Sequence, residues 1–184
     1  IPDTVTIIGS NAFSLCICLT DLTMGTGITF IGSNAFFGCQ LLESSFQIPN
    51  GVTVVGVDAF KNCQKATISS YNASSLTEVT IGASAFYNMK QIQSIQFPGK
   101  ITIGTNALTT IEQPGTMIFK EVTDLTLSGG YNSLKTQTNI AAGNLYLSLD
   151  IFKTFFTDTR TNVKSFTQRT GENIHLYLGT ATTG

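Results

Sequence analysis

Ile31-Gly32-Ser33-Asn34-Ala35-Phe36 decides the fold, because the same hexad stands at Ile8-Gly9-Ser10-Asn11-Ala12-Phe13 and returns three more times. The further copies are Val55-Gly56-Val57-Asp58-Ala59-Phe60, Ile81-Gly82-Ala83-Ser84-Ala85-Phe86 and Ile103-Gly104-Thr105-Asn106-Ala107-Leu108. The steps from Gly9 through Gly32, Gly56 and Gly82 to Gly104 are 23, 24, 26 and 22 residues. Self-similarity at a period near two dozen residues is the signature of a solenoid. Other positions keep step. Three residues after each Phe come Cys16, Cys39, Cys63 and Met89, with Ile111 following Leu108. Six after come Leu19, Leu42, Ala66 and Ile92. Upstream lie Val5-Thr6, Ile28-Thr29, Val52-Thr53, Val79-Thr80 and Ile101-Thr102, β-branched pairs suited to short strands. The last two copies carry one residue fewer before the glycine.

A coil of this length cannot enclose its own Phe and Leu, so each is expected to stack on its equivalents in neighbouring coils, at the ~4.8 Å spacing of parallel strands. Burying each such side chain contributes roughly 1.5–3 kcal/mol. The glycine is expected to supply a positive φ at a corner, and the Asn, Asp or Ser two residues later to bond local backbone amides.

The repeat resembles the BspA-like leucine-rich repeat, whose units run approximately Ile-Pro-x-x-Val-Thr-x-Ile-Gly-x-x-Ala-Phe-x-x-Cys-x-x-Leu. Residues 1–19 match it from Ile1-Pro2 to Leu19, and Ile48-Pro49 to Cys63 match again with Ala66 in place of the leucine. The resemblance covers roughly residues 1–112. It implies a leucine-rich-repeat solenoid, a curved right-handed coil of short parallel strands, mostly β and loop with little helix. It also implies a cell-surface or secreted protein of host-associated bacteria or mucosal protozoa, often involved in adhesion.

Residues 1–112 are therefore read as the solenoid, about five units starting in mid-repeat, and residues 113–184 as degenerate repeats or a C-terminal extension of it. Asp124–Leu127, Asn144–Leu149 and Asn173–Leu178 alternate in the manner of strands. Asp150–Phe156 reads as a short helix or an irregular loop. The opening in mid-repeat suggests an excised fragment, which leaves room for secretion signals upstream.

Composition narrows function. At 184 residues the chain can bury a real core. Charged residues are 11 % of it, against the roughly 25 % usual for soluble domains, so its surface must be largely Ser, Thr, Asn and Gln. A net charge of -1, with ten scattered Lys and Arg, offers no basic stripe for nucleic acid. No run approaches the ~20 apolar residues of a membrane span.

Chemistry-bearing residues read as scaffold. Cys16, Cys39 and Cys63 share a position with Met89 and Ile111, so they are expected to be buried, reduced thiols. Cys16 and Cys18 form a lone Cys-x-Cys, a poor metal signal. His175 is the single histidine and sits in a strand-like run, and no carboxylate pair recurs, so no enzyme, metal or cofactor is expected. Gly25-Thr26-Gly27 lacks the third glycine of a dinucleotide loop and is a turn. Asn72-Ala73-Ser74 is a complete sequon, which would carry glycan in a eukaryotic secreted protein and is otherwise an exposed loop.

Function is then expected on the inner face of the curve. Aligning Leu22-Thr23-Met24, Phe46-Gln47-Ile48 and Ile95-Gln96-Phe97 turns Thr23, Gln47 and Gln96 outward as one strip, with Asp21, Glu43 and Gln93 near it. A neutral face of amides and hydroxyls suits a protein or glycan ligand. The alternative is a spacer without a ligand of its own, for which the face is merely solvated.

Overall fold

The computed structural model describes residues 1–108 and, beyond them, the strand segments 113–119, 124–127, 144–148 and 175–179. The strands are β1 Ile7–Ile8, β2 Phe30–Ile31, β3 Ser45–Ile48, β4 Val54–Val55, β5 Thr67–Asn72 and β6 Glu78–Ile81. They continue as β7 Gln91–Gln96, β8 Lys100–Ile103, β9 Gln113–Phe119, β10 Asp124–Leu127, β11 Asn144–Ser148 and β12 His175–Gly179. One parallel sheet runs β1-β2-β4-β6-β8-β10 and the other β12-β11-β9-β7-β5-β3. From β2 to β10 consecutive strands alternate between the sheets, so each coil adds one strand to each. That is a parallel β-solenoid, and no helix occurs among the described residues. Nothing in it is a helix long and apolar enough to cross a membrane. The segment Asp150–Phe156 lies outside the described residues.

Between the sheets runs the Phe ladder expected from the repeat, with two further lines beside it. Phe13, Phe36, Phe60 and Phe86 stack face to face at 5.1, 5.0 and 5.8 Å, each within 13° of parallel to the next. Ile8, Ile31, Val55, Ile81 and Ile103 form a second buried line, and Ala35, Ala59, Ala85 and Ala107 a third. The hexads also pair. Asn34, Phe36 and Gly38 donate their backbone N–H groups to the carbonyls of Val57, Ala59 and Lys61 in the next coil. This third line of inter-coil hydrogen bonds satisfies the turn backbone without a regular strand.

The glycines act differently from the expectation. Positive φ belongs instead to the residue two later: Asn11, Asn34, Asp58, Ser84 and Asn106, at 52 to 60°. A short polar side chain tolerates that conformation, which is why Asn and Asp dominate there. The glycine serves close approach. A Cβ on Gly56 would lie 2.5 Å from the Ser33 nitrogen and 2.6 Å from the Gly32 carbonyl carbon. Coils can stack at strand spacing here only without a side chain. In the first coil Gly9 would meet nothing.

The missing residue before Gly82 and Gly104 also has a visible effect. β1, β2 and β4 are two residues long, flanked by Thr29 N–H to Thr6 O and Thr53 N–H to Thr29 O. Without the extra residue, β6 and β8 pair without interruption from Glu78 with Lys100 to Ile81 with Ile103.

Candidate functional site

The sheet containing β3, β5 and β7 carries the outward row singled out by alternation. In β3 the buried Phe46 and Ile48 flank the exposed Gln47. Thr23 stands exposed between buried Leu22 and half-buried Met24, although no strand forms there. Its carbonyl accepts from the Ile1 amino group at 2.7 Å, and Leu22 N–H donates to Ser44 Oγ at 2.9 Å, which ties the first coil to the second.

The register divides the expected strip. Phe46 pairs with Ile68 but Gln47 with Ser70, a shift that leaves Ser69 extra in β5, its hydroxyl donating to the Phe46 carbonyl at 3.0 Å. A bulge of this kind re-aims the chain beyond it. Ile68 pairs with Ile92 and Tyr71 with Ile95, equal steps that set Ser70 opposite Ser94, and Ser94 pairs with Thr116. Gln47, Ser70, Ser94 and Thr116 thus share one row. Gln96 instead pairs with Asn72, two residues further along. Alignment of the three apolar-x-apolar triads missed this because none of them lies in β5, where the inserted serine hides the alternation.

The remaining predicted residues lie at the margin. Asp21 is exposed and accepts from the Thr20 hydroxyl at 2.9 Å. Glu43 is exposed and paired with Lys65; the hydrogen bond from Lys65 and its charge hold that carboxyl below the usual range. Gln93 is exposed beside buried Ile92. Asn72 is exposed too, its Oδ1 accepting from Ser74 N–H at 3.1 Å and the Ser74 hydroxyl at 2.7 Å.

One end of the row opens into a shallow cavity of about 200 Å³ lined by Met24, Thr26, Gln47, Pro49, Asn50 and Gly51. Thr26 is held by Asp3, whose Oδ1 accepts from its backbone N–H at 2.7 Å and its hydroxyl at 3.1 Å. Those bonds, the backbone one first, keep the Asp3 carboxyl below its ordinary value. No ionisable side chain lines the cavity itself.

The other sheet presents a face that alternation could also have found. Pairing places Ile7, Phe30, Val54, Thr80, Thr102 and Thr126 in one row, the first five each the residue before a core position. Ile7 is 61 % exposed and Phe30 37 %, so this face is apolar at one end and hydroxyl-bearing at the other.

The cysteines divide. Cys39 and Cys63 are buried, and each thiol donates to the phenylalanine carbonyl of the preceding coil, Phe13 at 3.2 Å and Phe36 at 3.0 Å. Contact with the Cys39 thiol, together with burial, pushes the Cys63 thiol well above its ordinary value. Cys16, expected to be buried, is exposed in the first described coil. Cys18 is exposed as well, and all four are free thiols. Among the described residues no three of His, Cys, Asp or Glu converge as metal ligands. The His175 side chain lies outside what the structure describes.

No curated protein and no solved structure matches the chain. Residues 1–113 match the BspA type leucine rich repeat region in six copies, one more than the glycine-centred count. With its coils, ladders and pairing in place over that span, the chain belongs to the BspA-type leucine-rich repeat family.

Proposed function

We infer that this chain is a recognition module of a surface-exposed or secreted protein, binding a protein or glycan partner in adhesion or host interaction. The family supports a repeat-based interaction module. The observation that carries the finer reading is the run of amides and hydroxyls in register across coils: Gln47 with Ser70 and Asn72 with Gln96. Coils at strand spacing put these groups within one ligand's reach, where many weak hydrogen bonds add. Asp21, Thr23, Glu43 and Gln93 border the same surface. A glycan on Asn72, in a eukaryotic secretory pathway, would stand on it beside Gln96. Residues 113–184 belong to the same coil in this reading, supported by the parallel pairing of β9 with β7, β10 with β8, and β11 with β9 and β12.

The test is a screen of the chain against host extracellular proteins and glycans, followed by variants of any hit. Alanine at Gln47, Ser70 and Gln96 together is expected to abolish binding, while His175→Ala leaves it intact. Ile7→Ser with Phe30→Ser tests the other sheet. Loss only in that second variant would move the site to the opposite face, and no hit across the screen would favour a spacer. With a net charge of -1 the affinity should change little with salt.

A further inference from the structure

Asn50-Gly51 is the one Asn-Gly step in the chain, and it lies in the cavity at the end of the proposed row. We propose that Asn50 is a site of spontaneous deamidation, which turns this neutral cavity anionic as the protein ages. The reaction needs the backbone nitrogen of the following residue to reach the asparagine Cγ. Three features of the fold leave it free to do so. Asn50 is exposed. It occupies a turn closed by the Val52 N–H on the Pro49 carbonyl at 3.1 Å, so the Gly51 N–H lies between the bonded residues and donates no hydrogen bond among the described residues. Gly51 also brings no side chain to obstruct ring closure.

The other asparagines provide the contrast. After Asn11, Asn34, Asn62, Asn72 and Asn106 the next amide is committed, to the carbonyls of Gly9, Gly32, Phe60, Gln96 and Gly104 respectively. Each is also followed by Ala or Cys, whose Cβ hinders attack. The hexad turns thus commit the amide after their own asparagines, and among the described residues the one exposed asparagine without that commitment is followed by glycine.

In the reaction the Gly51 nitrogen gives up its proton and bonds to Asn50 Cγ, and ammonia leaves with that proton. Water then opens the five-membered imide at either carbonyl, leaving an aspartate or an isoaspartate at position 50. Either product adds one negative charge where Gln47 and Asn50 had offered only amides. The isoaspartate also lengthens the backbone by one methylene inside the turn. The consequence for partner binding rests on the proposed function; the chemistry does not.

The experiment incubates the folded chain at mildly alkaline pH and follows each asparagine peptide by mass, with isoaspartyl methyltransferase labelling as a second readout. Conversion is expected to concentrate at Asn50, at a rate close to that of the urea-unfolded chain. Gly51→Ala should reduce it to the level of the other asparagines. That variant should fold, since a Cβ at Gly51 meets nothing nearer than the Ile28 carbonyl oxygen at 3.6 Å. Conversion at Asn50 only after unfolding, or spread evenly over the asparagines, would overturn the proposal. Neither readout uses a binding partner, so a failed ligand screen leaves this result interpretable.

Discussion

Asn34 and Gly32 divide one task that a reading of the hexad assigns to the glycine alone. The turn needs a left-handed residue and a bare backbone, and the structure puts them two positions apart. Glycine at the close-approach position should therefore be irreplaceable wherever a coil lies beneath it. Gly56→Ala is expected to cost at least the ~1–3 kcal/mol of an overpacked core, whereas Gly9→Ala should stay within ~0.5. Urea midpoints of the two variants measure this, and equal midpoints would contradict the stacking geometry. The thiols make a second prediction: a maleimide should spare Cys39 and Cys63 in the folded chain and label them only once denaturant is added, and labelling of either without denaturant would contradict the stacking. Buried groups also set a pH dependence. Burial raises the Tyr71 phenol, whose hydroxyl donates to the Val52 carbonyl, and the Cys63 thiol is raised by its neighbour and by burial. Both acids stay protonated in the folded chain at pH values that ionise them unfolded, so their contribution is complete below their unfolded values and lost above. Those values are about 8.5 for the thiol and about 10 for the phenol. Cys39, in contact with Cys63, is shifted down and opposes it, so the net fall in stability is expected as pH rises from about 10, where the unfolded phenol ionises, which urea melts across that range would reveal.

At the scale of the element, a strand of two residues such as β2 has little intrinsic stability, and what holds it is the ladder it joins. Phe60 is stacked on Phe36 at 5.0 Å and Phe86 at 5.8 Å, with Phe46 at 5.6 Å, so truncating it opens a cavity bordered by three rings. Phe60→Ala should cost ~3–5 kcal/mol, while Thr23→Ala on the exposed row stays within ~0.5. A chemical-denaturation comparison decides, and similar losses would mean that the outward and inward positions have been exchanged. The bulge at Ser69 belongs to this scale too. It decides which polar groups of β3, β5 and β7 face one another, so deleting Ser69 should disturb any partner contact to Ser70 more than one to Gln93.

For the molecule as a whole, the buried Ile and Ala lines and the exposed Ile7 and Phe30 on a surface expected to be polar were not legible in the sequence, whereas the period near two dozen residues and the inward Phe stack were. Repetition explains why: each inward position is sampled several times, so a Met89 or an Ala66 cannot obscure it, and the same physical demand recurs in every coil. The family followed from the same residues. The outward surface was less legible, since nothing in a repeat constrains a side chain that points to water. Gln96 was set beside Gln47 by resemblance of neighbours, but hydrogen-bond register across β5 set it beside Asn72. Cys16 could not be told from Cys39 by position, because exposure depends on whether another coil covers it. The amino-acid pattern determined what each coil must bury, since burial is dictated by side-chain chemistry repeated along the chain. Only the tertiary structure decided which exposed groups become neighbours, since one inserted residue shifts the register of the rest of its strand.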